Sequence, residues 1–308
     1  MRFRRGDSMN DKKRVSIKYQ YYQLCTFDGD EYTENLYDLV EWLGRVGKLS
    51  LEDKVHEVSG IEGRLENAKP VLNDTLYALN FMRLDILSNT YILEKGSEAR
   101  HVDLDENEYI GRNTVVLYDP KYSVVMVQCN RGSYGVSGLE SYINSFNDGM
   151  DLCYFRPIYN EITEQHLMEG HALKIDVRFA NTRQFNPGKS RFFNKVIDAC
   201  NQLQCYTAHI ECGLGYNRGD ELEKETIVEV VNEARNPINK EAISSARITL
   251  SDDQKSSVFD LFNNIYSDKI DFVIPARGEL SFSYMTSQMI SKYDEKGSKV
   301  KIYSILRE

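Results

Sequence analysis

The sequence predicts an α+β fold: mixed, mainly antiparallel sheets with packed helices, in two subdomains. Three observations predict it. Apolar runs of period two alternate along the chain with runs of period 3.6, but without the regular strand–helix–strand spacing of a doubly wound sheet. Residues 114–119 and 122–130 are apolar runs joined through Asp119-Pro120-Lys121-Tyr122, whose leading Asp and Pro suit a type I turn and so a hairpin. NDG at 147–149 ends a helical stretch and places a boundary near 150. The expected domains are therefore 1–150, with a flexible basic arm at 1–13, and 151–308.

The elements follow in order. Residues 1–18 carry seven Lys or Arg against Asp7 and Asp11, a local charge of 7 − 2 = +5. No periodic pattern appears before Met9, which makes Met9 an alternative start. Val15–Phe27 is β-branched and aromatic and reads as a strand. Thr33 is positioned to cap a helix in which Leu36, Leu39, Val40, Leu43 and Val46 share one face. Short strands are expected at 54–58 and 75–86, then an acidic tract at 101–109, the hairpin, and a helix near 138–147. The second half gives strands at 171–181, 207–213 and 245–250. It gives helices near 190–204, 220–235 and 252–266, the last capped by a Ser251/Gln254 box. Alternating GELSFSYM and KVKIYSIL close the chain.

Composition narrows the class. Apolar residues make up 41% and charged residues 28% of the 308, as in soluble globular proteins. No run approaches 18 apolar residues, so no membrane insertion is expected. The N-terminus lacks the apolar stretch of a secretory signal. Six scattered cysteines, with Cys129, Cys153 and Cys200 in apolar runs, read as reduced core thiols of a cytoplasmic protein. In that compartment the RGD at 5–7 is not an adhesion motif. A net charge of −9 argues against wholesale coating of DNA but leaves room for a local basic face.

QCNRGSYGVSGLESYI (128–143) places glycines at 132, 135 and 138. This spacing matches neither a dinucleotide fingerprint nor a P-loop. Ser137 and Glu140 form a capping box, so the glycines read as turn residues handing a hairpin to a helix. Arg131 is the remaining cation, placed to meet a phosphate at the helix start. NPGKS (186–190) copies the back half of a P-loop, but Arg183 stands where the first glycine is required.

VRFANTRQFNPGKSRFFNK (177–195) holds Arg178, Arg183, Lys189, Arg191 and Lys195 and no acid. Phe179, Phe185, Phe192 and Phe193 are interleaved. Cations at a strand–helix junction contact phosphates, and an exposed Phe stacks on a base. Solvated cations around core phenylalanines produce the same pattern, and both readings stand at this point.

Metal readings are weaker. Cys200, Cys205, His209 and Cys212 fit no common zinc spacing, and strand alternation sends His209 and Cys212 to opposite sides. His166 and His171 lack helical i, i+4 spacing. The 103–108 tract has Glu108 where a calcium loop needs glycine. Glu169 and Asp176 near Arg178 sketch a nuclease site. No catalytic residue, metal or cofactor is assigned.

Residues 108–143 resemble an uncharacterised family of bacterial and phage-borne proteins. The resemblance rests on Glu108–Gly111, Leu117–Asp119, Gln128, Asn130, Arg131, Ser137, Leu139, Glu140 and Tyr142, about a tenth of the chain. The order of elements is more loosely similar to the phage-exclusion protein RexA and the KwaB subunit of Kiwa antiphage systems. That resemblance implies antiphage defence or phage exclusion, with binding of nucleic acid, double-stranded DNA foremost, by a homodimer without its own catalysis. Arg131 and the five cations of 178–195 are the expected contacts. A metal-dependent nuclease effector and a protein-interaction subunit of a multi-gene defence complex are the alternatives.

Overall fold

The structure is a computed structural model. It describes residues 12–27, 32–58, 60–85, 91–129, 132–147, 151–160, 167, 169–215, 220–239, 241–251, 256–262, 264–295 and 297–306. The α+β expectation holds: helices pack on sheets whose paired strands are all antiparallel among the described residues. The chain divides into two compact units, 1–158 with 267–308, and 159–266. The boundary expected near 150 thus falls at 158, and the chain after 266 returns to the first unit.

The first unit is a nine-stranded sheet in the order β10-β1-β9-β8-β5-β4-β3, with β15 and β2 also on β1. Its strands are β1 (Lys12–Phe27), β2 (Tyr32–Leu36), β3 (His56–Val58), β4 (Ile61–Val71), β5 (Leu76–Asp85), β8 (Ile110–Asp119), β9 (Val124–Cys129), β10 (Leu152–Pro157) and β15 (Ser267–Pro275). The short pair β6 (Tyr91–Ile92) and β7 (Arg100–His101) stands apart. Lys12 and Lys13, expected in a flexible arm, are strand residues opposite Pro275 and Ile274. The expected hairpin forms from β8 and β9, with Lys121 N–H donating to Asp119 Oδ1 across the turn, and residue 130 at its expected end lies outside the described residues.

Helices cover both faces of this sheet. On one face lie α1 (Leu39–Val46) and α2 (Val136–Asn144). The buried Tyr142 hydroxyl there accepts from Leu65 N–H at 2.8 Å and donates to Lys54 O at 2.7 Å. The other face carries α5 (Phe282–Ile290), a π-helical turn (Ser291–Glu295) and α6 (Ser298–Ile305). These replace the alternating closing segments expected from sequence. Met285 and Met289, four apart, are both buried, which is helical rather than strand spacing.

Two other expectations are corrected at helix starts. The cap of α1 is Asp38, whose Oδ1 accepts from Val40 and Glu41 N–H, because residues 32–36 pair with β1 as a strand. The cap of α2 is Gly135, not Ser137, and no side chain caps it. Glu140 instead accepts the Phe155 N–H at 3.0 Å. Of the expected core thiols, Cys153 and Cys200 are buried while Cys129 is exposed at the end of β9. No cysteine is disulfide-bonded. No helix among the described residues is long and apolar enough to cross a membrane.

The second unit is a four-stranded sheet, β12-β11-β13-β14. Its strands are β11 (His171–Phe179), β12 (Ala208–Gly213), β13 (Ile243–Ser251) and β14 (Ser256–Asp260). Its helices, α3 (Arg191–Gln202) and α4 (Lys224–Arg235), match the sequence expectation. They bury Phe193, Ile197, Ile227, Val230 and Val231 against Ile175, Val177, Ala246 and Ile248. The helix expected at 252–266 is instead strand β14. Val258 faces Thr249 and is 66% exposed, whereas Leu261 is fully buried. Gln254, the expected cap partner, lies outside the described residues.

Candidate functional site

The loop from β11 into α3 is built by its own small polar groups. Asn186 Oδ1 accepts the Gly188 N–H at 3.0 Å, an Asx-turn, and Gly188 takes a φ of +52°. Ser190 caps α3 by accepting from Phe193 N–H at 3.3 Å. The fully buried Asn239, from a 3₁₀ turn at Pro237–Asn239, donates to Asn186 O at 2.8 Å and accepts its N–H at 2.7 Å. Phe179, Phe185 and Phe193 meet edge to face beneath, with centroids 4.8–5.8 Å apart.

Those three phenylalanines are at most 5% exposed, and Phe192 packs against the same core. The expected base-stacking phenylalanine is therefore corrected: they hold the unit together. Tyr206, 55% exposed, is the aromatic at the surface, with the Arg183 guanidinium 4.1 Å above its ring.

The cations divide between two sides of the sheet. Arg183, Lys189, Arg191 and Lys195 are exposed in the loop and on the first turns of α3, on the helix-covered side. None forms an ion pair among the described residues. The first turn of α3 contains no acid, although the helix dipole favours one there. Arg178 does not join them. Strand alternation puts it on the opposite, uncovered face, 3.9 Å from Asp176. Arg131 lies outside the described residues.

The half P-loop carries its own anion. Glu233 Oε1 accepts the Lys189 N–H at 3.2 Å, and a Cβ at Gly188 would stand 2.1 Å from that oxygen. A nucleotide phosphate cradled by this turn would compete with that carboxylate.

The uncovered face is mainly polar, with the exposed Val258 as an apolar exception. Asp176 stands opposite Glu211 on one side and Arg247 on the other, and Arg247 stands opposite Asp260. His209 Nε2 is 3.1 Å from Asp176 Oδ1, and Lys174 Nζ is 2.8 Å from Glu211 Oε1. Ligand atoms of Asp176, His209 and Glu211 all lie within 4.8 Å of one another. Sequence reasoning named Asp176 and, in a separate cluster, His209, but did not join them and did not reach Glu211. The signal was there: His209 and Glu211, two apart in a strand, share a face, as do Asp176 and Arg178. Glu169 is not among the three. The cysteine-rich zinc reading does not assemble, since Cys200 is buried on the inner face of α3 and His209 is exposed on the other side of the sheet. His171 pairs with Glu221 at 2.7 Å, and His166 is outside the described residues.

In the first unit a cleft of about 250 Å³ is lined by Tyr37, Asp38, Glu41, Arg45, Asn147 and Asp151. Arg45 is held by Phe146 O and Asn147 Oδ1 at 3.1 and 3.2 Å. Three carboxylates around one guanidinium make this a poor seat for phosphate.

Fold and surface thus define a two-unit α+β protein whose second sheet carries, on one side, a basic helix start without an ion pair among the described residues. The chain belongs to a family of unknown function, DUF6731, whose model matches residues 9–301. No curated relative matches the chain.

Proposed function

We propose that the protein binds nucleic acid, with Arg183, Lys189, Arg191 and Lys195 on backbone phosphates and Tyr206 beside them. The observation that carries this is the set of four exposed cations without an ion pair among the described residues, gathered within 13 positions of a chain whose net charge is −9. Their place at the start of α3 opposes the helix dipole, so local stability does not select them. Phosphate contacts position a protein without reading sequence, and four such cations suit that role. Duplex DNA is the favoured ligand. A homodimer would present two such helices, and phage exclusion is the setting we propose for the activity.

Fluorescence anisotropy with labelled duplex DNA across a salt series tests this. Four phosphate contacts give a slope of log affinity against log salt of about −3.6. The quadruple variant R183A/K189A/R191A/K195A is expected to lose binding even at low salt. Wild-type affinity in that variant would overturn the proposal. Light scattering with and without DNA reads the oligomer. Plaque counts on cells with and without the wild-type gene read the exclusion role.

A further inference from the structure

We propose that the uncovered face of the second unit holds one divalent cation of the zinc class between Asp176, His209 and Glu211. This site is separate from the basic helix start and does not depend on its function.

Three observations carry the inference. The first is donor geometry. The ligand atoms lie within 4.8 Å of one another, and His209 Nε2 is already 3.1 Å from Asp176 Oδ1. A tetrahedral ion with bonds of about 2.1 Å needs ligand atoms about 3.4 Å apart. Glu211 closes the remaining gap by turning a side chain that is 53% exposed.

The second is the ladder itself. Asp176 and Glu211 are direct cross-strand partners, an acid facing an acid. Like charges in that position destabilise a sheet. The face answers with Lys174 against Glu211 and Arg178 near Asp176. A divalent ion between the two carboxylates removes the same repulsion more directly.

The third is access. Among the described residues β12 pairs only with β11, so His209 and Glu211 stand on an edge strand and are exposed, where an ion enters and a water completes its shell. One imidazole with two carboxylates selects zinc, cobalt, nickel or manganese over magnesium and calcium, which favour oxygen-only shells.

The experiment uses the full chain, stripped with a chelator and titrated with zinc against a chromophoric competitor. A parallel titration with cobalt(II) is read by absorption. Wild type is expected to take up one equivalent. H209A and E211Q should each weaken binding about tenfold or more, with circular dichroism unchanged because both side chains are exposed. K174A should tighten binding by freeing Glu211. The cobalt complex should show ligand-field bands without thiolate charge transfer. Absence of saturable binding to wild type would overturn the proposal. So would equal affinity in H209A, or a thiolate-dominated cobalt spectrum, which would place the ion on cysteines. The quadruple α3 variant keeps the metal site, so failure of either proposal is read independently of the other.

Discussion

The Tyr293 hydroxyl, in the π-helical turn, donates to the buried carboxylate of Asp119 at 2.8 Å. Tyr303 from α6 donates to the same oxygen. Nearby, Asp268 accepts from Tyr21 at 2.7 Å and Ser298 at 2.6 Å and pairs with Lys292 at 2.9 Å. Two aspartates on the sheet thus hold the last helices. Asp119→Ala leaves the buried Tyr293 hydroxyl and the half-buried Tyr303 hydroxyl without an acceptor and is expected to cost about 2–4 kcal/mol. Tyr293→Phe removes one charge-assisted bond, about 1.5–3 kcal/mol. Urea midpoints at fixed slope measure both. Near-wild-type stability of Asp119→Ala would show that the helices are held by apolar contact alone.

The same cluster sets an alkaline limit. Burial first, then the Asp119 charge, push Tyr293 far above the ordinary tyrosine range, and Tyr303 is raised by burial and by its bond to Asp119. Burial also pushes Tyr118 and Tyr134 up to about 12. A group raised in the folded state stabilises fully below its unfolded value, about 10, and that contribution is lost as pH rises beyond it. Thermal midpoints should therefore hold up to about pH 10 and fall steeply above it. Tyr293→Phe, lower at neutral pH, should lose less over the alkaline range. A parallel fall in both proteins would contradict the assignment.

Glu233 is the anion inside the basic loop. Glu233→Gln removes a negative charge beside Lys189 and keeps an oxygen for its N–H. Affinity for duplex DNA is expected to rise about two- to fivefold, roughly 0.5–1 kcal/mol at surface dielectric. Anisotropy at low salt reads this, and a fall in affinity would count against phosphate contact at this loop.

Val258 and Leu261 separate the strand from the helix expected at 252–266. Were that segment helical, the two would share a face, three residues apart. Here Val258 is exposed and Leu261 is not. Val258→Thr should change stability by less than about 0.5 kcal/mol. Leu261→Ala should cost about 2–5 kcal/mol. Equal large losses would restore the helix.

Local pattern made much of this legible. The 114–130 hairpin follows from a two-sided apolar run and Asp-Pro at its turn. Helices α3 and α4 follow from amphipathic spacing, while the Ser190 cap of α3 is a feature the structure adds. The segments that misled are those whose pattern is ambiguous over a few residues. GELSFSYM alternates well enough for a strand, yet the edge of β1 that it would need is held by β15 and β10. Ser251 with Gln254 resembles a cap, but Ser251 belongs to β13 and residues 256–260 pair with that strand.

By itself the sequence determined the fold class, the amphipathic helices and the existence of a basic, acid-free segment at 177–195. Only the tertiary structure decided which cations share a surface. Arg178 and Arg183 are five apart, yet strand alternation turns Arg178 to the uncovered face beside Asp176. The same holds for Asp176, His209 and Glu211, whose approach depends on the register of β11 against β12. It holds also for the first unit, to which the chain returns after 266, because Ser16 meets Asp271 from 255 residues away. Periodicity and capping act over a few residues and are written in the chain. Strand pairing closes long loops, and its outcome depends on every other strand competing for the same edge.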